Sequence, residues 1–334
     1  MLNNEKILYS LDDVAIQPAA VSTIEHRDEC NPFDENGYLP IFTSPMPCVI
    51  NMDNYKTFNA NRIIPIIPRT VPLKIREKHI WLSEWVALSL DEAETLFNKI
   101  DSLYITENAS DLYIKILIDI ANGNMSRLFD IVSSAKEKCN SKLQIMIGNI
   151  ANPETIVNAA LCGADYVRCS VGSGSACCTS KFTGVFYPMA SLISDCDLIR
   201  RHNRFKIKII ADGGIYEYRD IIKCIALGAD YVMLGNRLAA CEDSAAETIL
   251  MENGKRAKLY YGMASNIGME KLGKSGYPEG TSMYIDIKGK ISDFSNELNG
   301  YIKSAMSYCG CNDLNSMKKA VVNVISNNAS KRFS

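Results

Sequence analysis

Histidine is almost missing from this chain. Only His26, His79 and His202 occur among 334 residues, and none has metal-ligand spacing to another. That argues against a histidine triad or a histidine-rich zinc site, and leaves acid–base work to Thr, Asp, Glu, Tyr or Lys. Charge of one sign is missing too. With 36 Lys and Arg against 38 Asp and Glu, the net charge is −2. Nothing here suggests a nucleic-acid scaffold or a polybasic membrane surface. No apolar run reaches the ~20 residues that span a bilayer. The opening Met1-Leu-Asn-Asn-Glu-Lys6 lacks the charged-then-apolar layout of a secretory signal. Cysteine is plentiful, at twelve, but no small-domain disulfide spacing is present. Cys30, Cys48, Cys139, Cys162, Cys169, Cys224 and Cys241 are scattered, many on strand- or helix-like stretches where Cys acts as a small hydrophobe. A reducing cytoplasm is the expected location. Cys309-Gly-Cys311 is a weak metal signal without a second pair or a nearby His.

What is present is ordinary globular composition, 47% hydrophobic and 22% charged. The length suits one α/β barrel or two smaller domains. Short apolar runs recur, each followed by polar loop residues and a helical pattern. They predict strands at Leu39–Ser44, Ile63–Arg69, Trp85–Leu90, Ile114–Ile120, Leu143–Ile150, Ala164–Ser170, Ile207–Gly214 and Asp230–Gly235. Continuous apolar strands alternating with helices indicate a parallel sheet buried on both faces. About eight such units favour a single-domain (β/α)₈ TIM barrel, with an open doubly wound sheet as the alternative. The stretch 251–290 breaks the rhythm and reads as an excursion over the barrel mouth. Residues 291–308 read as a closing helix, and 326–334 as a frayed tail.

Polar, Gly-rich segments fall at the C-terminal ends of the predicted strands, where a barrel builds its active site. They are Asp119-Ile-Ala-Asn122-Gly123, Gly148-Asn149, Gly172–Thr179, Asp212-Gly213-Gly214 and Gly235-Asn236. The last two follow the seventh and eighth strands, the usual phosphate site of such barrels. The repeated Gly-Ala-Asp (163–165 and 228–230) is read only as a helix end and strand start. The most informative stretch is Ser170-Val-Gly-Ser-Gly-Ser-Ala-Cys-Cys-Thr-Ser180. Its glycines allow a sharp turn and close approach to a ligand. Ser175 can offer hydroxyl and N–H to a phosphate. Cys177, at the loop tip, is placed to attack an electrophilic carbon, with Thr179 near enough to handle protons. The bland alternative is a Gly/Ser loop with incidental thiols.

These motifs, in this order, resemble the inosine-monophosphate dehydrogenase/guanosine-monophosphate reductase family over nearly the whole chain. The resemblance runs from Leu11-Asp-Asp-Val14 and Thr43-Ser-Pro-Met46 through the Cys loop. It continues with Ala211-Asp-Gly-Gly-Ile215, Val232-Met-Leu-Gly235 and Tyr261-Gly-Met-Ala-Ser265. It ends with Glu279-Gly280, Lys288-Gly289 and Ser304-Ala-Met-Ser-Tyr308. Three features are similar to the reductase branch: Asp119-Ile-Ala-Asn-Gly123, Thr183-Gly-Val185 with Tyr187-Pro188, and a short segment between Ser265 and Glu279. That segment lacks the Arg-Tyr pair with which dehydrogenases activate water. No inserted pair of regulatory small domains (CBS domains) is present. The chain departs from the family at Ser170, Ser173, Cys178, Ser180 and Gly276, where Gly, Pro, Thr, Arg and Arg are usual. Thr43-Ser-Pro-Met46 is closer to the dehydrogenase form.

The resemblance implies NADPH-dependent conversion of guanosine monophosphate (GMP) to inosine monophosphate (IMP) and ammonia. Cys177 would form a covalent purine thioimidate, Thr179 and Glu279 would carry protons, and Asp119 would assist ammonia release or orient the cofactor. Asp119 as a mere helix cap is the plain alternative. Asp212 would hold the ribose diol. Ser175, Gly214, Gly235 and Asn236 would hold the phosphate, and backbone groups of Met263 and Ala264 would read the base edge, with Gly213 and Gly280 also in the substrate site. Asn122 and Gly123 would join Asp119 on the cofactor side. Carbonyls of Gly172, Gly174 and Cys177 would seat a monovalent cation such as K⁺. A ring-like homotetramer is implied by resemblance only. A dehydrogenase acting on IMP with NAD, or a non-catalytic purine-nucleotide binder, are the other readings.

Overall fold

The computed structural model describes residues 6–103, 113–139 and 142–331. Eight parallel strands form its centre: β1 Ile41–Thr43, β2 Ile66–Ile67, β3 Trp85–Leu88, β4 Ile114–Asp119, β5 Leu143–Ile150, β6 Tyr166–Cys169, β7 Lys208–Asp212 and β8 Tyr231–Leu234. They pair in the order β1-β8-β7-β6-β5-β4-β3-β2. The ring closes through Ile64, which bridges Phe42. Its N–H donates to Ile41 O at 2.9 Å and its carbonyl accepts from Thr43 N–H at 3.0 Å. The fold is the TIM barrel expected, and each predicted strand overlaps an observed one. The longer helices are α1 Tyr55–Ala60, α2 Leu73–Ile80, α3 Leu90–Leu103, α4 Ser126–Cys139, α5 Thr155–Leu161, α6 Met189–His202, α7 Tyr218–Ala226 and α8 Ile291–Tyr308.

Two cores result. The larger lies between barrel and helices and includes the apolar face of α7 (Ile221, Cys224, Ile225). The smaller fills the barrel with Phe42, Ile66, Trp85, Tyr166, Ile210 and Tyr231, among others. Ile66, Trp85, Tyr166 and Tyr231 are each the first residue of their strand. The bulky side chains therefore plug the N-terminal end and leave the C-terminal end free to be hollow. Phe42 meets Tyr231 at 5.0 Å and Trp85 at 5.7 Å between ring centroids, in edge-to-face contacts.

The repeated Gly-Ala-Asp has the structural role expected of it. Asp165 and Asp230 each accept the backbone N–H of the preceding strand, Ile145 at 2.7 Å and Ile209 at 2.7 Å. Each carboxylate also meets a helix cation, Lys136 of α4 or Arg200 of α6. The triplet thus pins strand register at the closed end of the barrel.

The excursion is an antiparallel three-stranded sheet of β9 Thr248–Leu250, β10 Arg256–Tyr261 and β11 Ser282–Asp286. The expected closing helix is α8. Strands Val14–Ile16 and Val322–Val324 pair antiparallel and tie the two ends of the chain together. The tail read as frayed carries a short helix, Asn327–Lys331, while 332–334 lie outside the described residues. All twelve cysteines are free thiols. Among the described residues no helix is long and apolar enough to cross a membrane, and no His/Cys/Asp/Glu cluster could hold a metal.

Candidate active site

The Cys loop leaves β6 and folds back across the barrel mouth. Two serines knit it: the Ser170 and Ser173 hydroxyls bond at 3.1 Å. Ser180 Oγ donates to Gly172 O at 3.0 Å, and Cys177 N–H to Gly174 O at 2.9 Å. Gly213 and Gly214 hold positive φ (89° and 71°). A Cβ on either would come within 3.0 Å of Ser170 Oγ or of Ser173 O. Only glycine lets the β7 loop nest against the Cys loop this closely.

The loop then pairs with a distant segment. Cys178 N–H donates to Glu279 O at 2.7 Å, and Thr281 N–H to Ala176 O at 3.0 Å. This brings together two side chains 100 residues apart, Thr179 Oγ1 donating to Glu279 Oε2 at 2.8 Å. Cys177 Sγ donates in turn to Thr179 Oγ1 at 3.4 Å. Thiol, hydroxyl and carboxylate thus form one continuous proton path.

Cys177, Thr179 and Glu279 face a cavity of about 740 Å³ at the C-terminal ends of the strands. That is in the upper part of the ~300–1,000 Å³ range of small-molecule sites. Asp119 and Asp212 line it from β4 and β7. So do Gly172, Gly174 and Ser175 of the Cys loop, Gly213 and Gly214, Gly235 and Asn236, and Met263 and Ala264. Gly280 lies behind the wall, bridged to Cys177. A Cβ there would sit 2.8 Å from Ser265 N, so glycine serves close packing. The wall does not include Asn122 or Gly123. Asn122 Oδ1 accepts its own loop's Asn124 N–H at 3.1 Å, and Gly123 N–H donates to Asn149 O at 2.7 Å. These bonds also fix the shape of the β4 loop. Gly172 and Gly174 carbonyls each already accept one hydrogen bond, as above, and keep a second lone pair.

Sequence reasoning missed much of the rest of the wall, including the polar side chains of Arg69, Asn149, Arg168 and Tyr260. Tyr260 is buried, and its hydroxyl donates to Met46 Sδ at 3.8 Å. A Cβ on Gly235 would strike that hydroxyl at 2.8 Å. Arg168 is buried on β6 and donates from Nη1 to Asp119 Oδ1 at 2.9 Å. Its Nη2 bonds Asn149 Oδ1, and Asn149 Nδ2 donates to Asp212 Oδ2 at 3.1 Å. Arg69 Nη1 donates to the backbone carbonyl of Asp119 at 3.1 Å. Burial pushes the Asp212 carboxyl above the ordinary aspartate range, partly offset by Arg168 and the Asn149 bond. The Nε atoms of Arg69 and Arg168 are buried without a hydrogen-bond partner. The unmet Arg69 donor at the cavity wall fits a ligand rich in acceptors, as a nucleotide or a nicotinamide dinucleotide is.

A model of the IMP dehydrogenase / GMP reductase domain matches residues 85–333. The GMP reductase of Enterobacter sp. is 30% identical over 339 residues, covering 94% of each chain. GMP reductase 2 of Bos taurus is 28% identical over 318 residues, covering 89% of this chain and 88% of its own. The inosine-5'-monophosphate dehydrogenase of Chlorobaculum tepidum is 37% identical over 218 residues, 61% of this chain and 43% of its own. The matches to dehydrogenases thus span about half the length of those proteins.

Proposed function

This chain belongs to the IMP dehydrogenase / GMP reductase family, and on that footing we propose that it is a GMP reductase. The overall reaction is GMP + NADPH + H⁺ → IMP + NADP⁺ + NH₃. One observation carries the reading: the unbroken Cys177–Thr179–Glu279 path, with 3.4 Å and 2.8 Å links, on the wall of the barrel-mouth cavity. Near end-to-end similarity to reductases and the absence of an Arg-Tyr pair between Ser265 and Glu279 support the direction.

Asp212 takes the ribose diol. Ser175, Gly214, Gly235 and Asn236 take the phosphate, with Gly213 packed beside them. Met263 and Ala264 read the base edge, backed by Gly280. Cys177 gives its proton through Thr179 toward Glu279, and the thiolate adds to purine carbon 2. Glu279 and Thr179 return a proton to the departing amine, so that ammonia leaves and a thioimidate on Cys177 remains. Splitting the exchange this way replaces one difficult step with two easier ones. When bound, the reduced nicotinamide supplies a hydride to the same carbon. Loss of the thiolate then gives IMP. Asp119, with Arg69 and Arg168, borders the side of the cavity from which the cofactor and the amine are handled. Asn122 and Gly123, in the loop after β4, join Asp119 on the cofactor side in this reading. A monovalent cation on the carbonyls of Gly172, Gly174 and Cys177 is part of this reading, tested by exchanging K⁺ for Na⁺. So is a homotetramer, supported by Phe182, Val185 and Phe186, which are exposed beside the Cys loop; sedimentation showing only monomer removes it.

The test is an absorbance assay at 340 nm. Oxidation of NADPH that requires GMP, with ammonia released, is the expected result. Reduction of NAD by IMP, with no reaction in the other direction, makes the chain a dehydrogenase instead. Nucleotide binding without either reaction makes it a non-catalytic binder.

A further inference from the structure

We propose that Arg168 is a positioning residue that couples the two halves of the site. One guanidinium serves as common counter-ion to Asp212, on the nucleotide side, and Asp119, on the dinucleotide side. The inference rests on the reductase reading for the identity of the two ligands.

Arg168 is the only charged residue of β6, a strand otherwise made of Tyr166, Val167 and Cys169. Its placement is enforced from below. A Cβ on Gly148 would fall 2.6 Å from the Arg168 Cβ, so the neighbouring strand yields the room that the side chain occupies. The guanidinium then spends its donors on different elements. Nη1 donates to Asp119 Oδ1 at 2.9 Å, at the end of β4. Nη2 holds Asn149, whose amide donates to Asp212 Oδ2 at 3.1 Å. Nε lies 3.4 Å from the same Asp212 oxygen without completing a hydrogen bond. Arg69 stands beyond Asp119, its Nη1 4.0 Å from Oδ2. Charges therefore alternate across the cavity as Arg69, Asp119, Arg168, Asp212.

A single cation shared by two carboxylates cannot satisfy both fully. Ribose hydroxyls that donate to Asp212 would stabilise its charge and lower its demand on Arg168. The guanidinium is then held more firmly by Asp119, which fixes that carboxylate for the second ligand. Nucleotide occupancy thus strengthens dinucleotide binding, and the effect must be reciprocal. Lysine would not replace Arg168, because one ammonium cannot span two carboxylates and an amide.

With NADP⁺ in place of NADPH no hydride is available, and a Cys177→Ala background common to every protein compared here also stops thioimidate formation, so binding of GMP and NADP⁺ can be measured without any reaction. In that background alone, saturating GMP should tighten NADP⁺ binding by a factor within the ~5–150-fold usual for coupled sites. In Arg168→Lys, both ligands should still bind, each more weakly, and the coupling factor should fall by at least about fivefold. Asp119→Asn should lower the factor to a similar degree, and adding it to Arg168→Lys should lower it little further. Thermal melts establish folding, and if Arg168→Lys does not fold, the Asp119→Asn comparison decides. Failure of the background protein to bind GMP overturns the proposed function. Binding of both ligands with no coupling, or with coupling equal in the background and the further variants, overturns the role of Arg168 alone.

Discussion

Replacing Glu279 by Gln isolates the proton path from the rest of the site. Gln keeps the size and one acceptor oxygen, so the Thr179 hydroxyl retains a partner at the 2.8 Å position. It cannot take up or return a proton. The lost charge-assisted bond is by itself worth ~1.5–3 kcal/mol. At ~1.36 kcal/mol per tenfold, that alone is about 10–150-fold in rate. Losing a positioned acid and base typically costs about 10²–10⁴-fold. Steady-state deamination of GMP should therefore slow by at least about 100-fold. Hydride transfer needs the thiolate but no proton for a leaving amine. It can be observed alone by running it backwards: IMP and NADP⁺ should give a single-turnover burst of NADPH as the thioimidate forms on Cys177. Measured under the same conditions, the burst should lose much less than the steady state does. Equal losses in the two measurements would mean that Glu279 shapes the site in general. The assignment of Thr179 and Glu279 as a proton relay would then be withdrawn.

Cys177→Ala should abolish turnover yet bind GMP about as well as wild type by calorimetry, whereas Cys178→Thr should stay active; the reverse pattern would place the nucleophile one residue along. Asp212 is held above the ordinary aspartate range by burial, and the diol needs its carboxylate, so GMP affinity should fall as pH drops through that raised value and the dependence should flatten in Asp212→Asn. The stability effect has the opposite sense: a raised folded-state pKa contributes stability below it that is lost as pH rises through it, so Asp212→Asn should gain in melting temperature relative to wild type toward neutral pH. Phe42→Ala removes the ring that meets Trp85, Tyr166 and Tyr231 in the barrel plug; it should cost ~3–5 kcal/mol in denaturant unfolding, and a loss under 1 kcal/mol would show that the plug is loosely packed.

The barrel was legible because each strand is buried on both faces and so writes itself as an apolar run. Boundaries were less so. Ile63–Arg69 was expected as a strand, but only Ile66–Ile67 pairs regularly. The closing seam runs through the single bridge at Ile64, and Arg69, at the end of the run, lies in the cavity wall. The Cys loop was legible because glycine, serine and thiol sit in one short stretch. Glu279 was not legible from that stretch. Its partnership with Thr179 is made by backbone pairing across 100 residues, and only the family resemblance pointed to it.

Arg168 left a signal that went unread: a full charge within a four-residue strand whose other members are fit for a dry core. Burying an arginine there is costly unless its charge is met, so its presence implies carboxylates close at hand. Asp119 and Asp212 were both visible at strand ends, but as separate residues with separate duties. The guanidinium between them changes how they must be treated. Removing either carboxylate leaves Arg168 with one anion instead of two, which tightens its hold on the survivor. The effects of Asp119→Asn and Asp212→Asn are therefore linked through one cation. A mutation on either side of the cavity reports on both sides, and a role assigned to one carboxylate from a single variant will include part of the other's.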